Sequence, residues 1–297
     1  MRMFETVHEM LIYVYQQILH FGIKVAPRGL PTREILGESC RVVNPRARLF
    51  KRPCKMMSLP FAIGEFLWYL NKSNNMSEIA YYAPSLKKFS DDGITLNSAY
   101  GSRIFGVHPF VRNNQWEYVK QLLKSDKSSR QAIIHIRTLK DEDILTKDHP
   151  CTLTLHFLIR DDCLNLIVNM RSNDLYMGSC YDIFSFTMFQ EMMAWELGIP
   201  LGFYQHSVNS WHLYEKNISI LDENLSSSIP MPEWSFEKNT IDTVLTIEKR
   251  MRNGVKIEIE KVCLDSCWKD WLLILEAYAN GTNIPFEKVN KCYSFVK

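Results

Sequence analysis

The feature that most constrains this 297-residue chain lies between residues 151 and 198. CTLTLHFLIR (151–160) sets Leu153, Leu155, Phe157 and Ile159 against Thr152, Thr154 and His156. LNLIVNMR (164–171) alternates again, with Leu164, Leu166, Val168 and Met170 on one face. Two runs of period two, joined by the polar pair Asp161-Asp162, predict an antiparallel hairpin with one buried side. The helix IFSFTMFQEMMAWELG follows and stops at Gly198, and Asp182 stands where its N-cap belongs. Strands and helices mixed in this way give an α+β layered fold.

The flanking segments extend that pattern. Residues 4–20 read as a helix, and Pro27, Gly29 and Pro31 mark a loop carrying Arg28 and Arg33. LPFAIGEFLWYL (59–70) is an almost wholly apolar helix interrupted by one carboxylate, Glu65. Residues 82–98 look irregular, 116–124 form a short amphipathic helix, and QAIIHIR (131–137) reads as a buried strand. A strand-like stretch runs to Tyr214, then a charged segment (239–260) and a helix within WKDWLLILEAYANG, whose apolar residues suit the core or a dimer surface. With no repeat or flexible linker, residues 1–297 read as a single domain.

Charge and cysteine usage narrow the function. Lys and Arg number 35 against 33 Asp and Glu, without a basic run, which argues against a dedicated nucleic-acid partner. No apolar stretch approaches the roughly 18 residues of a membrane span. The N-terminal segment, with Glu5 and Glu9, reads as a helix and not a signal peptide. The eight cysteines are scattered, none in a C-x-x-C, and Cys263 and Cys267 lack a nearby histidine. A reduced, cytoplasmic chain without a metal site is expected.

Four clusters suggest chemistry: His149-Pro150-Cys151; Arg171-Ser172-Asn173-Asp174, followed by Gly178 and Tyr181-Asp182; Ser210-Trp211-His212-Leu213-Tyr214; and Ser128-Ser129-Arg130. Each has an ordinary structural reading by itself. In this order, with Gly64-Glu65-Phe66-Leu67-Trp68 and Ala99-Tyr100-Gly101 upstream and Gln190-Glu191 with Ala194 between, they resemble the thymidylate synthase family of pyrimidine nucleotide C5 transferases. The resemblance covers about residues 20–217, and residues 218–297 diverge from the family's usual ending.

The resemblance implies a mixed sheet packed against helices, the back of the sheet forming a homodimer interface. It implies a pyrimidine nucleoside monophosphate as substrate and 5,10-methylenetetrahydrofolate as co-substrate, with no metal. C5 of a pyrimidine is too weak a nucleophile until a thiolate adds at C6, and Cys151 matches that nucleophile. Arg171 matches the cation beside the sulfur, which also holds phosphate, and nearby positive charge lowers a thiol's pKa. Arg130 matches an arginine that reaches the partner's site, while the family's second arginine is Gln131 here. Arg28, or Arg33 in an alternative loop alignment, matches a mobile phosphate ligand. Glu65 corresponds to a proton relay, Tyr100 to the residue at the C5 proton step, and Asp174 and Gly178 to the folate side. Ser172, His212 and Tyr214 correspond to nucleotide contacts.

Asp182 is the informative departure. Thymidylate synthases carry asparagine there, whose amide accepts from uracil N3–H and donates to O4, whereas cytidylate hydroxymethylases of the family carry aspartate. A carboxyl suits cytosine, with its N3 acceptor and N4 donor, and such polar matches discriminate by roughly 10⁴ or more. No tryptophan lies between Trp68 and Trp116, and Leu86 falls where the family's water-excluding tryptophan belongs. Thr152 and Met170 replace a frequent histidine and glutamine. The expected activity is 5-hydroxymethylation of CMP or dCMP. The alternatives are C5 methylation of dUMP or another pyrimidine nucleotide, and a non-catalytic nucleotide or RNA binder.

Overall fold

One mixed sheet organises the chain. The computed structural model describes residues 1–51, 57–107, 113–142, 145–218 and 228–297. Its strands are β1 (Arg2–Phe4), β2 (Ile23–Val25), β3 (Thr32–Val42), β4 (Ile133–His135), β5 (Thr152–Arg160), β6 (Cys163–Met170), β7 (Asn173–Asp174) and β8 (Leu201–Tyr214). Its helices are α1 (Val7–Phe21), α2 (Leu59–Leu70), α3 (Met76–Ala80), α4 (Tyr100–Phe105), α5 (Gln115–Ser125), α6 (Ser179–Leu197), α7 (Lys238–Arg252) and α8 (Ser266–Ala279). The strands run in the order β1-β3-β8-β6-β5-β4, with β2 on β3 and β7 on β8.

The predicted hairpin forms. Asp161 and Asp162 both take left-handed backbone, φ 51° and 56°, which matches the twist of a two-residue turn between β5 and β6. Register then sorts the two faces. Leu155, Phe157 and Ile159 lie opposite Val168, Leu166 and Leu164, and all six are buried. The same face continues through Tyr204 and His206 on β8 to Val42 and Cys40 on β3. The other face carries Thr154, His156, Ile167, Asn169, Gln205, Ser207, Ser39 and Arg41, all half-buried.

α6 packs on the buried face and is itself covered by α2, which explains why nearly every residue from Ser179 to Ala194 is buried. Here the sequence expectation is corrected: Gly178, not Asp182, is the N-cap, and Asp182 sits inside the first turn. Gly198 does end the helix, with φ 66°. At the N-terminus the Thr6 side chain caps α1, so the helix starts at Val7 and residues 2–4 become β1. The strand expected over 131–137 shortens to Ile133–His135.

The divergent C-terminal residues close the helical layer. Trp234, Trp268 and Trp271 pack with ring centroids 4.3–5.5 Å apart, and Trp271 stands edge-on to Phe66 of α2. The core use of α8 is thus realised, with Trp268, Trp271, Leu272 and Leu275 buried. Beneath it Arg48, fully buried, pairs with Glu191 of α6, and Arg46 Nε donates to the same carboxylate at 2.7 Å. Removing one partner of a buried pair leaves an uncompensated charge. Glu191→Gln is therefore expected to destabilise the fold by about 3–5 kcal/mol, measured by denaturant unfolding.

Candidate active site

The two open ends of the hairpin meet at Cys151 and Arg171. Between Thr152 and Thr154 the register slips by one residue, and the Arg171 N–H donates to the Cys151 carbonyl at 2.9 Å. The guanidinium is held by the preceding loop: Nε donates to Pro150 O at 2.9 Å and Nη2 to His149 O at 3.0 Å. Nη2 also lies 3.5 Å from Cys151 Sγ, while Nη1 makes no hydrogen bond among the described residues. One edge of the fork thus remains for an anion.

Burial pushes the Cys151 thiol above its ordinary pKa. Arg171, and more weakly Arg137, pull it down, while Asp182 and Asp148 push it up. The expected thiol-lowering effect of Arg171 is present, but within one chain burial outweighs it.

α2 and α4 supply the opposite wall. Asp148 accepts from the Ser98 N–H and hydroxyl, both at 2.7 Å, and so ties the loop before Cys151 to the approach of α4. Tyr100 opens that helix, and its hydroxyl accepts from the Thr152 N–H at 3.4 Å. Gly101 lets α4 approach α2, since a Cβ there would sit 2.3 Å from the Tyr69 carbonyl oxygen. Tyr69 stacks on Tyr100 with centroids 5.6 Å apart, one helical turn after Glu65. Burial, then the charge of Asp182, pushes Glu65 up to about 8, with the neighbouring Tyr69 opposing.

Asp182 faces this group from α6. Its Oδ2 accepts from Asn173 Nδ2 at 2.7 Å. Burial raises its pKa to about 7, with Asn173 opposing and Asp174 adding. Glu65 and Asp182 are both half-buried residues despite this desolvation. At Gly178 the fit is close: a Cβ would lie 3.1 Å from Asn173 Nδ2, 3.2 Å from the Asp174 carbonyl oxygen and 3.3 Å from Asp182 Oδ2. Glu65 Oε2, His149 Nδ1 and Thr152 Oγ1 are buried without protein partners among the described residues. Polar atoms in that state take hydrogen bonds from water or a ligand.

The third wall is the end of β8. Buried side chains there switch phase, from Tyr204, His206 and Val208 to Trp211 and Leu213, opposite Gly37 with φ 68°. The switch leaves His212 and Tyr214 part-exposed, edge-on at 5.4 Å. Ser172 Oγ lies 3.3 Å from His212 Nδ1, and Asp174 pairs in register with His212. Burial raises the Asp174 carboxyl, while the backbone N–H of Tyr176 and the charge of His212 oppose it.

Four expected residues lie outside this group. Arg130 is exposed beside β4 at the far edge of the sheet. Arg28 occupies an exposed turn with φ 54° between β2 and β3, near the Tyr214 end of β8. Arg33 is engaged, donating to Glu215 at 2.8 Å and Leu19 O at 3.2 Å, so Arg28 suits a mobile ligand better. Leu86 lies in a short 3-10 turn, half-buried against the core. Sequence reasoning passed over Tyr69, Ser179 and His206, and it named Asn173 within a cluster without giving it a role. The i, i+4 spacing of Glu65 and Tyr69 was the available signal for the first.

Among the described residues no helix is long and apolar enough to cross a membrane, and no group of three or more His, Cys, Asp or Glu could hold a metal. The model of the family described as thymidylate synthase matches residues 11–258. The chain is 32% identical over 215 residues to the deoxyuridylate hydroxymethyltransferase of Bacillus phage SP01, a match covering 68% of this chain and 56% of that protein. It is 27% identical over 172 residues to the thymidylate synthase of Bacillus phage phi3T, covering 56% and 61%. The chain spans about half the length of the curated hydroxymethyltransferases it matches. Thermostable thymidylate synthase A from Bacillus subtilis shares the fold, with TM-score 0.61, 22% identity, and coverage of 71% of this chain and 81% of that one.

Proposed function

The chain belongs to the thymidylate synthase family, and from that premise we propose that it hydroxymethylates C5 of a cytidine monophosphate, CMP or dCMP. The observation that carries this reading is Asp182: a half-buried carboxyl held by Asn173, in a position where helix capping does not explain it. A second reading keeps the reaction and changes the base to uracil. It is favoured by the relative named a deoxyuridylate hydroxymethyltransferase.

In the proposed reaction Cys151 Sγ adds to C6 of the base, which makes C5 nucleophilic. Arg171 holds phosphate through Nη1, and Arg28 closes from its exposed turn. Ser172, His212 and Tyr214 orient the sugar, and Asp182 meets the base edge. 5,10-Methylenetetrahydrofolate supplies the one-carbon unit, and Asp174 and the space beside Gly178 are suited to its pterin. Tyr100, hydrogen-bonded to the residue after the nucleophile, stands at the C5 proton step. Glu65, with its raised pKa, can hold and return a proton near neutrality. Leu86, where the family's water-excluding tryptophan belongs, favours entry of a reacting water and hence a hydroxymethyl product.

The test is a panel of CMP, dCMP, UMP and dUMP with labelled methylenetetrahydrofolate. Hydroxymethylation adds one formaldehyde unit to the nucleotide and yields tetrahydrofolate. Methylation adds one methylene unit and yields dihydrofolate, and that product would replace the proposal by the synthase reaction.

We further propose a homodimer built on the half-buried face of the sheet. The thiol of a single chain is held above its ordinary pKa, and Arg130, exposed here, is a cation that a partner could add. Mixing inactive Arg130→Ala and Cys151→Ser subunits is expected to restore part of the activity, since one hybrid site contains both groups. Subunit exchange without rescue would refute the sharing.

A further inference from the structure

Asp182 ends a hydrogen-bonded chain that the reaction above does not use. Tyr204 Oη lies 2.7 Å from His206 Nδ1, and His206 Nε2 lies 3.1 Å from Asn173 Oδ1. Asn173 Nδ2 in turn donates to Asp182 Oδ2 at 2.7 Å. Tyr204 and His206 are completely buried. Burial holds His206 near a pKa of about 3, so its ring is neutral with one N–H.

The surroundings give the chain a direction. Trp211 Nε1 can only donate, and it does so to Ser179 Oγ at 2.9 Å. The Ser179 hydroxyl passes its own hydrogen to Asn173 Oδ1 at 2.6 Å. That oxygen is therefore an acceptor on both sides, and the amide nitrogen is turned to Asp182. His206 Nε2, facing the same oxygen, carries the ring hydrogen, and Nδ1 takes the hydrogen of Tyr204. Reversing the order would set an amide oxygen against the carboxyl and leave the buried Tyr204 hydrogen without its acceptor.

We propose that Asn173, His206 and Tyr204 are positioning residues for base selection: the chain commits Asp182 Oδ2 as an acceptor and turns Oδ1 toward position 4 of the base, where it accepts from the amino group of cytosine and opposes O4 of uracil. This rests on the reading that Asp182 meets the base. In that orientation Oδ2 lies on the N3 side, where it can share a proton with cytosine N3. The titratable groups facing Asp182 are Glu65 and Tyr69 of α2, Tyr100 of α4, Cys151, Asp174 of β7 and Tyr204 of β8. Cys40 of β3 lies opposite His206 in register.

The experiment compares His206→Leu, His206→Gln and Asn173→Leu in the full chain, measuring kcat/KM for cytidine and uridine monophosphates against pH. His206→Leu should shrink the ratio between the two bases about tenfold, and His206→Gln, whose amide N–H can replace Nε2–H, should recover most of it. Asn173→Leu removes a donor that favours the ionised carboxyl, so the basic limb of the pH profile should move upward. A folded His206→Leu enzyme with unchanged ratio and unchanged profile overturns the proposal. If the leucine variants do not fold, ring nitrogen NMR of the wild-type enzyme decides: a hydrogen on Nε2 supports the chain, and one on Nδ1 refutes it. A wild-type preference for uridine would defeat cytosine selection, while the ring tautomer and the Asn173→Leu profile would still test the chain by themselves.

Discussion

Cys151→Ser is expected to lower turnover on the order of 10⁴-fold or more while leaving nucleotide affinity nearly unchanged. The thiol is already disfavoured as an anion by burial, yet a serine hydroxyl in the same place is far harder to ionise. Affinity survives because the substitution leaves Arg171 where it is. Its Nε and Nη2 are fixed by the carbonyls of Pro150 and His149, and the sulfur is only its longest contact, at 3.5 Å. Single-turnover assays and equilibrium dialysis separate the two effects, and trapping of a protein–nucleotide adduct by mass spectrometry should succeed with cysteine and fail with serine. A serine enzyme that retains a substantial fraction of its rate would rule out covalent addition at C6.

Asp182→Asn is expected to exchange the preferred base. The carboxyl receives its hydrogen bond from Asn173 Nδ2 at Oδ2. An amide in its place would accept the same bond through its oxygen and turn an N–H donor toward the substrate. That donor matches uracil O4 and opposes the amino group of cytosine. Each matched or mismatched contact in a desolvated site is worth about 1–3 kcal/mol, so kcat/KM should fall for the cytidine nucleotide and rise for the uridine one by comparable factors.

The pH dependence carries the same signature. Because burial raises Asp182 to about 7, the proton shared with cytosine N3 is present below that value and lost above it. Wild-type cytidine turnover should therefore decline as pH rises through neutrality, and the asparagine variant should lose this limb. Equal base ratios before and after the substitution would remove the case for cytosine.

The parts of the fold legible in the sequence are those where one face is dry and the other wet. β5 and β6 alternate visibly because Leu155, Phe157, Leu166 and Val168 face the core while Thr154, His156 and Asn169 do not. β3 was invisible for the opposite reason. Arg33, Glu34, Glu38 and Arg41 interrupt any apolar period, and the strand is held along its length by β8, a partner more than 150 residues away, with Arg41 Nε donating to Gln205 at 2.9 Å. The candidate site divides similarly. Cys151, Arg171 and Asp174 were recognisable by type and order, whereas His206 looked like any strand histidine until pairing brought it to Asn173. Asp182 was found for its side chain but misplaced at the helix end, because a glycine N-cap has no side chain to announce it.

The turn at Asp161-Asp162 also acts as a ruler. β5 counts back from it to Cys151 and β6 counts forward to Arg171, and the one-residue slip between Thr152 and Thr154 takes up the difference in length, so turn and slip together bring the two residues level across the strands. Substitution there is cheap: Asn-Gly, which prefers the same backbone, would fit at least as well. Length is another matter, since a one-residue insertion or deletion that slipped the pairing would reverse which face each downstream side chain occupies and carry the arginine away from the sulfur. Among related chains, this surface turn should vary freely in composition and hardly at all in length, and an alignment that places a gap there should be read as a misalignment or as loss of the enzyme.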